Sequence, residues 1–120
     1  MSDITEKQEI DKLLRELPSR IEKTQTLLLT YRGAYNEAKA AYKLKLAKVK
    51  LETKINNPDA TQTDVDSEAI VQSEVERLAM VAKESEYRKA QKDLERIKND
   101  FDSVKERAAN YRTEIKRFQG

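Results

Sequence analysis

Cysteine, histidine and tryptophan are absent from this 120-residue chain, and glycine and proline occur twice each. Each absence removes a class of answer. Without cysteine there is no disulfide framework and no thiolate nucleophile, and a reducing compartment is permitted. Without histidine the usual general base at neutral pH is missing, and so is the commonest metal ligand. With so little glycine and proline, the composition suits long helices rather than a chain of many turns. No apolar run approaches membrane-spanning length, and the opening Met1-Ser2-Asp3-Ile4-Thr5-Glu6 lacks the basic and apolar regions of a secretory leader. The expectation is a cytoplasmic protein with no membrane partner. A net charge of +2 is too small to imply a nucleic-acid or membrane surface by itself.

What the chain does have is charge, at 38% of residues, and a strict apolar rhythm. Ile10, Leu14, Leu17, Ile21, Thr24, Leu28, Tyr31, Tyr35, Ala38 and Tyr42 follow one another in alternating steps of three and four. Tyr87, Ala90, Leu94, Ile97, Phe101, Val104, Ala108, Tyr111, Ile115 and Phe118 do the same. That spacing places each set on one narrow stripe of a helix, the seam that a partner helix covers. A disordered chain of similar charge has no reason to hold such a phase. The fold class is therefore all-α, a single domain built as a long antiparallel two-helix hairpin of coiled-coil type.

Helix one is expected over about 3–57, starting near Ser2 or Thr5, where Thr5 and Gln8 have capping-box form. It ends ahead of Pro58, which disfavours helix in the residue before it. The segment 58–63 is the turn. Helix two is expected over about 64–118, capped among Thr63, Asp64 and Asp66 and reaching almost to Gly120. Each helix is then on the order of 75 Å long. Pro18 lies inside helix one, where it removes a hydrogen bond and crowds the preceding turn. Because the stripe keeps its phase across it, a kink is expected there, with a separate short N-terminal helix as the alternative. In an antiparallel pair, facing positions share a constant sum of residue numbers. A sum of 125 sets Leu17 against Ala108, Tyr35 against Ala90 and Ala38 against Tyr87, so that large side chains meet small ones.

Both stripes end at one height, where Lys45 and Lys83 take seam positions. Beyond them apolar residues spread around both helices. Leu44, Leu46, Val49, Leu51 and Ile55 lie on one, and Val65, Ile70, Val71, Val75, Leu78, Met80 and Val81 on the other. Leu13, Leu27, Ala34, Ala41 and Ile55 make a second column beside the first stripe. One seam cannot bury all of these. A wide apolar face suits a bundle, so self-association is expected, most simply a homodimer forming a four-helix bundle. The surface expected to serve it, or to serve a protein partner, is Leu44, Leu46, Leu51, Ile55, Ile70, Val71, Val75, Leu78 and Val81.

Residues 39–54 carry six lysines and one glutamate, whereas residues 64–86 carry seven acids and two bases. Lys39, Lys43, Lys50 and Lys54 share one sector of helix one and are candidate nucleic-acid contacts. Neutralisation by the acidic stretch alongside is the favoured reading, since a nucleic-acid footprint should stand unopposed. Asp59, Asp64, Asp66 and Glu68 make the turn acidic, but they lack the spacing of a calcium loop, and helix capping accounts for Asp64 and Asp66. The five tyrosines all fall on the seam and are read as core rather than base-stacking platforms. Gly33, with Ala34, Ala38, Ala40 and Ala41 nearby, is a small patch that another helix can approach closely. No catalytic constellation, metal-ligand spacing or cofactor motif is present, so a non-enzymatic protein without cofactor is expected.

Three runs carry a resemblance. They are the A-x-x-x-Y-K-x-K-x-A-K run at Ala38–Lys48, E-x-E-Y-R-K-A at Glu84–Ala90 and N-D-F-D-S-V-K-E-R-A at Asn99–Ala108. In them the chain resembles the small helical-hairpin accessory proteins encoded by tailed phages and other mobile elements. The resemblance implies a protein that acts through a partner, such as a host, replication or defence protein, and it assigns no functional residue.

Overall fold

The computed structural model describes residues 3–119, with side chains described over residues 5–117. Ser2, Gly120 and the Phe118 side chain, which figure in the expected helix limits and seam, lie outside the described residues. Three helices follow in chain order: α1 (Asp3–Asn56), α2 (Gln62–Gln72) and α3 (Glu74–Gln119). Their packing divides into two compact units, one of Met1–Leu28 with Ala90–Gly120 and one of Leu29–Lys89. In each unit the chain returns antiparallel to α1.

The alternating spacing translates directly into burial. All nineteen described members of the two stripes are buried or half-buried, so the seam is the one the periodicity marks. In the first unit Ile10, Leu17, Ile97, Val104 and Ala108 form the core, with Leu13, Leu14, Ile21, Phe101 and Tyr111 packed on it. Removing a leucine or isoleucine side chain of this kind from water contributes roughly 1.5–3 kcal/mol. Arg107 reaches across to Glu9 at 3.7 Å and Glu6 at 4.0 Å, and the exposure of these side chains keeps the gain small.

Four expectations about the elements are corrected or settled. α1 is already helical at Asp3, so Thr5 lies inside it instead of capping it. Pro18 lies within α1, exposed, while Leu14, Leu17 and Ile21 keep their inward places, so the alternative of a separate N-terminal helix does not hold. The cap of the second helix is Thr61, not Thr63, Asp64 or Asp66. Its Oγ1 accepts from the Asp64 N–H at 3.1 Å, and Asp64 provides the acidic first-turn residue that the helix dipole favours. Finally, the expected single helix over 64–118 is broken at Ser73 into α2 and α3.

The break is mild. Ser73 has φ −100° and ψ 12°, and four-residue hydrogen bonds persist on both sides, from the Ser73 N–H to Ala69 O at 3.1 Å and from the Arg77 N–H to Ser73 O at 2.9 Å. No proline or glycine marks it. The sequence signal it does carry is Ser73-x-x-Glu76, the form of a capping box.

Candidate interaction surface

In the second unit inward positions continue beyond the layer where the apolar stripes end. Below Tyr42 on α1 they are Lys45, Val49 and Thr53, half-buried, buried and half-buried, with the alternation kept to Val49 and one step of four in place of three before Thr53. From Tyr87 back along α3 and α2 the same three-four spacing gives Lys83, Met80, Glu76, Ser73 and Ala69, all buried or half-buried. The end of the apolar stripes is therefore mainly a change of residue chemistry at inward positions. Lys45, Thr53, Ser73, Glu76 and Lys83 take inward places beside Val49 and Met80, while eight of the apolar residues expected at an interface stand outward.

The polar interior is incompletely satisfied. Ser73 is fully buried at 0% exposure, and neither its Oγ nor Glu76 Oε2 has a hydrogen-bond partner among the described residues. A buried hydroxyl in that state costs roughly 1–3 kcal/mol. The fully buried apolar residues of this unit are Val49, Ala60, Val65 and Ala69, none larger than valine.

The outward side carries the residues expected to make an interface. Leu44, Leu51 and Ile55 on α1 are exposed, as are Ile70, Val71, Val75, Leu78 and Val81 on α2 and α3. Val75 at 77% and Leu44 at 71% are the extremes. Leu46 differs from the rest of that set, being half-buried beside the seam. With an advance of about 100° per residue, Leu44, Leu51 and Ile55 form one ridge on the side of α1 away from the seam. Val71, Val75 and Leu78 form a corresponding ridge on α2 and α3. Two exposed leucines lie outside the expected surface, Leu27 in the first unit and Leu29 in the second. The run Leu27-Leu28-Leu29 exceeds what one seam position can use, and that was their signal.

The charges do less within the unit than the sequence suggested. Among the described residues one ion pair joins α1 to the returning helices here, Lys50 to Asp66 at 3.5 Å. Lys39 stands over the Tyr35 ring at 6.0 Å, and Lys54 Nζ donates to Ala60 O at 3.1 Å. Lys43 and Lys48 are exposed. The other pairs of this unit stay on α3: Arg77 with Glu74, Lys83 with Glu86, and Arg88 with Glu84 at 2.7 Å. The hydrogen bond and the negative charge from Glu84 raise the Arg88 pKa above its ordinary value, so the guanidinium stays charged.

The remaining candidates resolve as follows. Asp66 bridges to Lys50 and also accepts from Gln62, and Glu68 accepts from Gln72, so both acids act within or beside α2. All five tyrosines are half-buried along the seam. Tyr35 and Tyr87 stack across it at 6.0 Å with planes 18° apart, a pairing one turn away from the oppositions expected for either ring. A side chain built at Gly33 meets nothing within 4 Å, so open space surrounds it. The described residues contain no group of three metal-ligating side chains and no helix long and apolar enough to cross a membrane. A representative groove of the first unit runs along one side of α1, lined by Lys12, Arg15, Glu16, Ser19, Arg20 and Lys23. Set against protein-family models, curated proteins and solved structures, the chain matches none.

Proposed function

We propose that this chain is a non-enzymatic interaction protein that self-associates through its second unit, most simply as a two-fold dimer forming a four-helix bundle, and that it acts on a protein partner in the cytoplasm. The observation that carries this reading is the inversion of the second unit. Eight large apolar residues stand outside while Lys45, Ser73, Glu76 and Lys83 occupy inward positions. Contiguous exposed apolar surface on a charged chain marks an interaction site. An accessory role through a partner, the kind implied by the resemblance to phage helical hairpins, fits the same surface.

Sedimentation velocity over a concentration series tests it. The wild-type chain should gain mass with concentration. A Leu44→Asp, Val75→Asp variant should stay monomeric with unchanged helical circular dichroism, since both side chains are exposed and neither supports the seam. Wild-type protein that remains monomeric, or a variant that assembles equally well, removes the self-association reading.

A second reading, nucleic-acid binding by Lys39, Lys43, Lys50 and Lys54, is favoured by one observation. Of the four, only Lys50 has an acidic partner among the described residues. It predicts a salt-sensitive mobility shift with DNA or RNA that is lost when the four become glutamine. No shift at low salt eliminates it.

A further inference from the structure

The two ridges are alike in apolar character and opposite in the charge that borders them. On α1, Leu44, Leu51 and Ile55 fall within about 40° of arc. Lys43 and Lys54 stand beside them in sequence, and Lys48 lies on the ridge itself, one turn from both Leu44 and Leu51. On α2 and α3 the four-residue hydrogen bonds across Ser73 keep the helical phase, so Val71, Val75 and Leu78 fall within about 60°. Asp64 and Glu68 lie about two turns and one turn before Val71 on that face, and Glu74 borders Val75. Lys43, Lys48 and Lys54 have no ion pair among the described residues, nor do Asp64 and Glu68, so these charges are not neutralised across the unit's own seam.

We propose that the occupant of each ridge is the unlike ridge of a second copy of this chain. The Leu44–Leu51–Ile55 ridge of one copy packs on the Val71–Val75–Leu78 ridge of the other, with Lys43, Lys48 and Lys54 facing Asp64, Glu68 and Glu74. This rests on the self-association reading above and specifies which surfaces meet. The like pairings oppose themselves, since α1 on α1 sets lysine against lysine, and α2–α3 on itself sets acid against acid. Juxtaposed like charges suppress the wrong arrangement, and complementary ones fix the register and speed encounter. The pairing also accounts for a basic stretch and an acidic stretch that lie in one unit and yet share a single bridge.

A chain without cysteine makes the test direct. Leu51→Cys and Val75→Cys chains are purified separately under reducing conditions, mixed in equal amounts, oxidised with glutathione and resolved by non-reducing electrophoresis and mass spectrometry. The mixed disulfide should dominate, because a bridge forms only between thiols held within disulfide reach. Disulfides formed only between like chains overturn the unlike pairing and leave self-association standing. Wild-type protein that sediments as a monomer at every concentration overturns both. A second arm reverses charge without adding a thiol. A Lys43→Glu, Lys48→Glu, Lys54→Glu chain and a Glu68→Lys, Glu74→Lys chain should each self-associate about tenfold or more weakly than wild type. Mixed together, they should recover wild-type assembly, because the reversed flanks now complement one another. A mixture no stronger than its components overturns the proposal, and retained helical circular dichroism in each variant shows that folding is not what failed.

Discussion

Leu17 and Val75 are both large apolar side chains on long helices, yet their surroundings give them opposite consequences. Leu17 is 2% exposed within the first unit's core, so Leu17→Ala removes transfer energy and leaves a cavity, a loss of about 2–5 kcal/mol. Val75 is 77% exposed, and at concentrations where the chain is monomeric Val75→Ala should change stability by no more than about 0.5 kcal/mol. Urea denaturation of the two variants at one low concentration checks the contrast. Equal losses would mean that Val75 packs against something in the isolated chain. Ser73 runs the other way. Its hydroxyl is buried without a protein partner, and alanine is the better helix former, so Ser73→Ala should stabilise by about 1 kcal/mol. A lower urea midpoint in that variant would show that the hydroxyl is needed where it stands.

At the scale of the elements, α2 hangs on its cap. Thr61 Oγ1 satisfies the Asp64 N–H at 3.1 Å, and Thr61→Ala should cost about 1 kcal/mol, read as a lower denaturation midpoint, whereas Thr63→Ala should be near neutral. Within α1, Gly33 adopts helical backbone with open space where a side chain would sit, so Gly33→Ala should stabilise the monomer by about 0.5–1 kcal/mol. The end of α1 was legible because Pro58 dictates it, and the seam because burial must repeat every three or four residues on a helix that packs on one side. The break at Ser73 was not, because it needs neither proline nor glycine and disturbs the hydrogen-bond ladder by only one residue. The cap was misplaced by a half-turn because Thr61, Thr63 and Asp64 are all good caps, and only the backbone geometry chooses among them. Of the nine residues expected at an interface, eight are exposed. Leu46 is half-buried because its place on the helix borders the seam, about 60° from Val49. The sequence pattern read as an end of the stripes, whereas on α2 and α3 the spacing persists and polar residues fill much of it, a distinction that needs the partner helix to be seen.

At the scale of the whole molecule, the two units differ in what folding alone can satisfy. The first buries isoleucine, leucine and valine against one another. The second fully buries two valines, two alanines and a serine with no hydrogen-bond partner among the described residues, and leaves most of its leucines and isoleucines exposed. On the proposed self-association, free energy that the second unit does not obtain from its own seam comes from a second copy, and association stabilises whatever state it binds by mass action. Hydrogen exchange should therefore separate the units by their response to concentration. Amides around Leu17 and Ile97 should exchange at rates independent of protein concentration, because their protection is intrinsic to the chain. Amides along 44–55 and 70–81 should become progressively better protected as concentration rises, with the change centred on the concentration at which sedimentation shows assembly. A Leu44→Asp, Val75→Asp chain should lose this dependence and exchange everywhere like dilute wild type. If the second unit is as strongly protected in dilute wild-type protein as in concentrated protein, its stability does not depend on a second copy, and the exposed ridges then serve a different partner or none.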